Sequence, residues 1–306
     1  MSRNIIILFL LLILLQPSGY SQEMTRILFV GNSYSGQIRK TLTNLIKASP
    51  EGKTTELEFI TPGGKTLGFH LETQATLEKI KTGNWDFVVL QDQSQTPAAF
   101  PKKFESAVID LDILIDASGA KTVFYQTWGR KDGDKMNLQT MPTYKAMQKK
   151  LSDSYASAAK RCDAILAPVG DTWAKVRKAD PKLGDSLYKS DGSHPSAQGA
   201  YLAACVFYVT FFEKSPATIE YKGGLFDVEA TAILNAITLP EGKPTPSAFP
   251  ADRTLTNANG NEIEVRILGR SKTQIFFTKN GKNHTYEIDQ LSEADQTFIR
   301  ALPINR

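Results

Sequence analysis

The residues of this chain that are best suited to chemistry are a serine, a histidine and an aspartate. Ser33 ends the stretch Ile27–Ser33, in which four apolar residues run into a Gly-Asn-Ser turn. A serine hydroxyl is a poor nucleophile until a base takes its proton. His194 is a candidate base, and Asp191, three residues earlier, could fold back to orient its imidazole. The three residue types together indicate acyl transfer, although the Gly-Asn-Ser turn taken alone is a weak signal, because such turns also occur for purely structural reasons.

Acyl transfer also needs hydrogen-bond donors for the oxyanion of the tetrahedral intermediate. The stretch Thr61–Thr66 contains two glycines, and a glycine N–H can come close to a substrate because no Cβ intrudes. The stretch Gln91–Ser94 contains two glutamines, each of which carries a side-chain amide donor. The sequence thus offers donors of both kinds, at two places between Ser33 and His194.

An alternation of strands and helices must bring these stretches together. The pattern predicts strands at residues 27–30, 57–60, 87–90, 122–126 and 165–168, and helices at 37–48, 67–81, 101–117 and 144–162. The strands are near-continuous apolar runs, which is typical of a sheet covered on both faces. The predicted fold is therefore α/β, a three-layer α/β/α sandwich with a parallel five-stranded sheet. Ligands of such sheets bind at the carboxyl edge, where the candidate residues should meet.

The later part of the chain divides into several segments. The sequence predicts long loops at 129–141 and 178–193, a helix at 197–213 that Ser196 caps, and a shorter helix at 227–237. Residues 240–251 are rich in proline and read as a linker. Residues 252–306 predict a small β-rich domain with hairpin turns at Asn259-Gly260 and Asn280-Gly281. In its last helix, Ser292 is the expected cap and Asp295 stands at the capping-box position.

The N-terminus has the pattern of a secretory signal peptide. Arg3 precedes the apolar run Ile5–Leu15, and the small residues Gly19 and Ser21 follow it. The run is short for a membrane span, so an uncleaved anchor is the lesser alternative. We expect residues 1–21 to be removed, a catalytic domain at 22–239 that has no integral membrane span, and a secreted or periplasmic protein.

The charge argues against nucleic-acid binding, and the cysteine and histidine spacing argues against a metal site. The formal net charge of +4 is too small, and too evenly spread, to indicate nucleic-acid binding. Export permits a disulfide between Cys162 and Cys205, but free buried thiols are the favoured reading. No Cys/His cluster has the spacing of a metal site, so we expect no metal and no cofactor.

Residues 25–214 resemble the SGNH (GDSL-like) hydrolases, on the strength of Gly31-Asn32-Ser33, the Gly64 loop, the amide after the third strand and Asp191-Gly192-Ser193-His194-Pro195. The resemblance implies a flavodoxin-like arrangement of the sheet. It implies that Ser33 is the nucleophile, His194 the base and Asp191 the third member of a triad. It also implies oxyanion donors at the Ser33 N–H, at Gly64, for which Gly63 is the rival, and at an amide in the third motif.

The third motif departs from the family pattern. The family has Gly-x-Asn-Asp where this chain has Gln91-Asp92-Gln93-Ser94. The register from the preceding strand puts Gln93 at the asparagine position, while Gln91 is the competing candidate. Glutamine keeps the amide donor but adds a methylene, so its reach differs.

Residues 253–302 are similar to the small Sla-homology domain appended to many exported bacterial proteins, chiefly through the stretch Leu291–Ile299. This second resemblance implies an SH3-like β-barrel with a terminal helix. It also implies a role in binding a peptide or a protein.

Together these features predict an ester-bond hydrolase that acts on a small acyl group, such as an acetyl group on a carbohydrate. The alternatives are an inactive hydrolase scaffold that binds glycan or protein, and a lipase or thioesterase. Among the other candidates, His70 reads as a satisfied histidine rather than a pocket residue and His284 as a solvent-exposed strand residue. Trp128 is equally compatible with a sugar-stacking wall and with simple packing.

Overall fold

The computed structural model describes residues 24–239, 253–270, 273–279 and 282–301. The chain divides into two compact units, Met1–Thr238 and Leu239–Arg306. The predicted signal peptide, the linker at 240–251 and the Asn280-Gly281 turn lie outside the described residues. Among the helices of the described ranges, none is long and apolar enough to cross a membrane.

The first unit is built on the predicted parallel sheet. Its five strands are Thr25–Val30 (β1), Thr55–Ile60 (β2), Phe87–Leu90 (β3), Lys121–Tyr125 (β4) and Ile165–Ala167 (β5). They pair in the order β2-β1-β3-β4-β5, and every pairing is parallel. The α/β fold class and its five-stranded sheet are therefore confirmed.

Helices cover both faces of this sheet. They are Ser33–Lys47 (α1), Leu67–Leu71 (α2), Gln74–Thr82 (α3), Thr96–Ala99 (α4), Pro101–Ala117 (α5), Tyr144–Arg161 (α6), Val169–Ala179 (α7), Pro181–Ser186 (α8), Ala197–Phe212 (α9) and Asp227–Ala236 (α10). Short 3₁₀ turns occupy Pro50–Lys53 and Pro216–Thr218. As predicted, the Ser196 hydroxyl caps α9 by accepting from the Gly199 N–H.

The strand side chains alternate between two cores. Ile27 and Phe29 of β1 point into the core shared with α1, α7 and α9. Leu28 and Val30 point into the opposite core, shared with α3, α5 and α6. All four side chains are fully buried, and each such burial contributes about 1.5–3 kcal/mol. This double coverage explains why the strands are continuous apolar runs.

Apart from shifted helix and strand ends, two predicted segments have a different secondary structure. The helix expected over 67–81 is interrupted at Glu72-Thr73, where the Thr73 hydroxyl donates to the Phe69 carbonyl and competes with the helical pattern. The loop expected over 178–193 contains the end of α7 and all of α8. Asp180 ends α7 and caps α8 by accepting from the Leu183 N–H, and Pro181 takes the first helical position, where a missing N–H costs nothing.

The two cysteines are free, as favoured by the sequence. Cys205 is fully buried in α9, where burial raises the pKa of its thiol to about 12. Cys162 is only half-buried, contrary to the expectation that both thiols are buried. It follows α6 directly.

The second unit is a four-stranded antiparallel sheet with a helix. Its strands are Arg253–Thr256 (β6), Glu262–Arg270 (β7), Gln274–Lys279 (β8) and Lys282–Glu287 (β9), in the order β6-β7-β8-β9. A 3₁₀ turn at Ile288–Gln290 leads to the helix Glu293–Ala301 (α11). Asn259-Gly260 lies in the β6–β7 connection as predicted, with Gly260 at φ +79°.

Two local predictions for this unit, the Ser292 cap and the exposure of His284, are confirmed. The Ser292 hydroxyl accepts from the Asp295 N–H at the start of α11. The Asp295 carboxylate in turn accepts from the Thr256 N–H and from Arg253, which ties the helix to β6. His284 is exposed on β9 as expected.

Candidate active site

The serine stands at the turn between β1 and α1. β1 ends at Val30, Asn32 has extended backbone angles, and the helix begins at Ser33 itself, four residues earlier than predicted. The Asn32 side chain caps the helix by accepting from the Tyr34 N–H at 3.1 Å. Ser33 is therefore the first helical residue at the carboxyl edge of the sheet, where helix N–H groups point outward.

Ser33, His194 and Asp191 lie in hydrogen-bonding order. The Ser33 Oγ is 2.9 Å from the His194 Nε2, and the His194 Nδ1 is 2.6 Å from the Asp191 Oδ2. Because a carboxylate only accepts, the Nδ1–H donates to Asp191 and leaves the Nε2 lone pair facing the serine hydroxyl. This is the tautomer that a general base needs in order to take the Ser33 proton.

Asp191 also shapes the loop that carries the histidine. Its Oδ1 accepts from the backbone N–H groups of Ser193 and His194, each at 2.9 Å, and Gly192 between them has a φ of +65°. Partial burial acts to raise the pKa of this carboxyl, but hydrogen bonds from His194 and Ser193 outweigh it and hold the pKa at about 2. Asp191 is therefore ionised at neutral pH, as an orienting carboxylate must be.

Trp128 is hydrogen-bonded to the loop that carries His194. The indole Nε1 donates to the Ser193 carbonyl at 2.9 Å. The ring is fully buried and stacks between Tyr34, at 4.8 Å, and Trp173, at 4.0 Å. Of the two roles open to Trp128, the structure favours packing, because a buried ring offers no face to a sugar.

Tyr34 links the turn at Gly31–Ser35 to the loop that carries Asp191 and His194. Its hydroxyl is 2.7 Å from the Ser193 Oγ, and its ring lies edge-on to the His194 ring at 5.3 Å. Since Tyr34 follows Ser33 directly, this contact ties the two halves of the triad together. No local pattern indicates this role of Tyr34, because Ser193 is 159 residues away in the chain.

The glycine loop lies against the same turn. The Asn32 Nδ2 donates to the Lys65 carbonyl at 2.8 Å, which fastens the loop beside Ser33. Gly64 has a φ of +70°, a conformation that strongly favours glycine, whereas its rival Gly63 has no positive φ. Gly64 is also exposed, and a Cβ placed on it would meet nothing within 4 Å. The loop therefore needs a glycine at 64 for its turn.

The two glutamines of the third motif have different surroundings. Gln91 is fully buried, its Oε1 accepts from the Asn32 N–H, and its Nε2 donates to the Asp92 carbonyl. Gln93 is half-buried, and both polar ends of its side chain bond to Gln95. Within the described residues neither amide hydrogen-bonds to Ser33 or His194. Gln93 nevertheless stays partly open to a ligand, whereas Gln91 is enclosed.

The buried carboxylate of Asp134 orients Gln95, which is the hydrogen-bond partner of Gln93. The Gln95 Nε2 donates to both oxygens of Asp134 at 2.8 Å, and Arg130 pairs with the same carboxylate at 3.3 Å. The Asp134 side chain is fully inaccessible. Burial acts to raise its pKa, but hydrogen bonds from Asn137 and Gln95 lower it overall. The hydrogen bonds between Gln95 and Asp134 could not be predicted, because no pattern in the predicted loop at 129–141 marks Asp134 as buried.

His70 is a satisfied buried histidine, as predicted. Its Nε2 is 2.8 Å from the Gly31 carbonyl, and its Nδ1 is 3.4 Å from the Thr76 hydroxyl. Burial lowers the pKa of its imidazole, against an opposing effect of the bond to Gly31. The neutral ring donates to the Gly31 carbonyl and thereby holds the strand end that precedes Ser33.

Asp92 joins the glycine loop to the end of β3. Its Oδ1 accepts from the Leu67 N–H at 3.1 Å and from the Gln93 N–H at 2.6 Å. Burial raises the pKa of this carboxyl to about 6, although both hydrogen bonds act to lower it. A raised pKa in the folded state means that protonation stabilises the fold. This stabilisation is complete below the pKa of Asp92 in the unfolded state, near 4. It is lost as the pH rises through the pKa of the folded state, about 6.

We expect Asp92→Asn to be more stable than the parent protein at pH 8 and similar to it at pH 4. Asparagine can keep both hydrogen bonds through its carbonyl oxygen while removing the buried charge. The pKa shift corresponds to on the order of 2–3 kcal/mol. Denaturant unfolding of both proteins at the two pH values measures the difference. A stability difference that is the same at pH 4 and pH 8 would show that Asp92 does not titrate between them.

Known protein structures share the fold of this chain. No protein-family model matches the chain. No curated protein matches it either. Its structure is similar to that of an SGNH hydrolase from Slackia heliotrinireducens, with 31% sequence identity and a TM-score of 0.53 over 61% of this chain and 99% of that one.

A DUF4886 family protein from Bacteroides uniformis is 17% identical, with a TM-score of 0.58 over 70% of this chain and 93% of that one, and shares the fold. The likeness to the Slackia heliotrinireducens protein extends over essentially its whole length at more than 30% identity. The chain therefore belongs to the SGNH hydrolase family, a class of enzymes that hydrolyse ester bonds.

Proposed function

We propose that the protein is an exported serine esterase that removes a small acyl group, such as acetyl, from a carbohydrate. The observation that carries the proposal is the continuous hydrogen-bonded chain from the Ser33 Oγ through His194 to Asp191, at 2.9 and 2.6 Å. The choice of a short acyl group and a sugar alcohol follows from the family resemblance and from the predicted export.

In the proposed reaction the Ser33 Oγ attacks the ester carbonyl while the His194 Nε2 takes its proton. Asp191 stabilises the resulting imidazolium through the Nδ1–H. The imidazolium then protonates the departing alcohol, which leaves an acyl-serine. Water attacks this acyl-serine while His194 takes its proton. The His194 imidazolium then returns the proton to the Ser33 Oγ as the carboxylic acid leaves, which regenerates the serine hydroxyl.

The oxyanion would be held by three donors: the Ser33 N–H, the Gly64 N–H and the Gln93 amide. Neither of the two backbone N–H groups has a hydrogen-bond partner within the described residues, so both remain available to a ligand. Gln93 is preferred to Gln91 because Gln93 is only half-buried, whereas Gln91 is fully buried. Each such donor typically contributes on the order of 10²–10³ in rate.

The second unit is proposed to be a Sla-homology-like module that binds a peptide or protein. Support comes from its four antiparallel strands followed by a helix, and from its own apolar core around Val265, Ile275 and Ile299. Deleting residues 240–306 should leave ester hydrolysis unchanged if this module only recruits a partner, because the triad lies wholly in the first unit.

An ester panel on the mature protein tests the proposed function. We expect hydrolysis of p-nitrophenyl acetate and of acetylated xylan, with much slower turnover of p-nitrophenyl laurate and of an acyl thioester. Faster turnover of laurate would indicate a lipase, and faster turnover of the thioester a thioesterase. Folded protein that hydrolyses none of these substrates would instead support a binding scaffold and would overturn the proposal.

A further inference from the structure

Gln91 is hydrogen-bonded to the turn Gly31–Ser35, which carries the Ser33 hydroxyl. It follows β3, whose neighbour β1 leads into the turn, and its backbone N–H donates to the Val30 carbonyl at 3.0 Å. The side chain is fully buried. Its Nε2 donates to the Asp92 carbonyl, so the amide plane is fixed and Oε1 faces the turn.

The Gln91 Oε1 accepts from three groups of the turn. These are the Asn32 N–H at 2.9 Å, the Ser35 hydroxyl at 3.0 Å and, more weakly, the Ser35 N–H at 3.4 Å. The Tyr34 N–H is bonded to the Asn32 side chain. Of the four consecutive N–H groups from Asn32 to Ser35, only that of Ser33 has no partner within the described residues. The turn is thus arranged so that one donor is left for a ligand.

The packing of Gln91 also explains the glycine at position 31. A Cβ on Gly31 would lie 2.7 Å from the Gln91 Oε1 and 2.8 Å from the Ser35 Oγ, which is closer than atoms can approach. On the other side, His70 donates to the Gly31 carbonyl at 2.8 Å. The backbone before Ser33 is therefore held between two buried side chains, one from the end of β3 and one from α2.

From this geometry we propose that Gln91 is the positioning residue of the nucleophile, and not an oxyanion donor. It acts through the backbone of Asn32 and Ser35, and sets the direction of both the Ser33 Oγ and the Ser33 N–H. The inference rests on the proposed function, since it concerns how Ser33 attacks. Misplacing a reacting group by about 1 Å can cost on the order of 10²-fold in rate.

The test compares two buried glutamines at the same sheet edge. Gln91→Met keeps the side-chain length but removes the acceptor. Gln126→Met is the matched control, because Gln126 follows β4, is fully buried and bonds to Asp171 at 2.8 and 3.0 Å without touching the Ser33 turn. The readouts are the rate of Ser33 labelling by a fluorophosphonate, kcat and KM for p-nitrophenyl acetate, and the melting temperature.

We expect Gln91→Met to lower the labelling rate and kcat about 10–100-fold, with KM changed less than threefold. Gln126→Met should lose comparable stability while keeping the wild-type labelling rate. Should Gln91→Met fail to fold, the smaller Gln91→Asn serves instead, since its amide is one methylene too short to bridge Asn32 and Asp92. It should show the same loss of labelling.

Wild-type labelling in a folded Gln91 variant, or an equal loss in Gln126→Met, would overturn the inference. If the wild-type protein itself is not labelled and hydrolyses no ester, the proposed function fails instead, so the two failures are separable.

Discussion

Replacing Ser33 with alanine is expected to lower kcat for p-nitrophenyl acetate by roughly 10⁴-fold or more. The Ser33 Oγ makes one hydrogen bond within the described residues, to the His194 Nε2 at 2.9 Å. Alanine removes that bond and the attacking atom, while the backbone N–H of residue 33 stays in place. The helix is still capped by Asn32, so the melting temperature should change little. Steady-state hydrolysis and thermal unfolding of the same preparation measure both effects.

Ser118→Ala is a suitable control for this experiment. The Ser118 hydroxyl donates to the Ile115 carbonyl at the end of α5, on the edge of the sheet opposite to the carboxyl ends of the strands. It should retain the wild-type kcat. A Ser33→Ala protein with more than a tenth of the wild-type kcat would mean that the observed hydrolysis does not pass through Ser33.

Replacing Asp191 with asparagine is expected to lower kcat by roughly 10³–10⁴-fold with little change in the loop itself. The Asn Oδ1 can still accept from the Ser193 and His194 N–H groups, as the Asp191 Oδ1 does at 2.9 Å. Its NH₂ group would then face the His194 Nδ1, which must accept. The ring proton moves to Nε2, and the histidine loses the lone pair that takes the serine proton.

Asp132→Asn provides the matched control, since Asp132 is exposed on the neighbouring loop and should keep full activity. The pH dependence adds a second check. Hydrogen bonds hold the pKa of Asp191 at about 2, so the carboxylate does not titrate above pH 5 and cannot cause a loss of activity there. Wild-type kcat in Asp191→Asn would contradict a role of this carboxylate in fixing the histidine tautomer.

The parts of the fold that local pattern determines were predictable from the sequence. β3 and α5 have the predicted bounds, because an apolar run between turns and a helix that begins at Pro101 are each specified by neighbouring residues. The Asp191–His194 pairing was predictable for the same reason, because the two residues lie three apart in one loop. The short helix α8 was missed although Asp180-Pro181 is a helix-start pattern.

Features that depend on distant partners were not predictable. The packing of Trp128 depends on Tyr34 and Trp173, which no local pattern connects to it. The different surroundings of Gln91 and Gln93 depend on which side chain turns inward at the end of β3. A strand alternates its faces every residue, so two glutamines two apart appear equivalent in the sequence. Their difference arises from the contact of Gln91 with the Gly31–Ser35 turn.

The central claim, that Ser33 is a nucleophile activated by His194, is tested most directly by covalent labelling. The mature protein is incubated with a fluorophosphonate, digested and analysed by mass spectrometry, because such labelling needs an activated nucleophile. We predict one adduct per chain on Ser33, with labelling slowed by orders of magnitude in His194→Gln. An adduct on another residue, or equal labelling of Ser33 in His194→Gln, would contradict the claim.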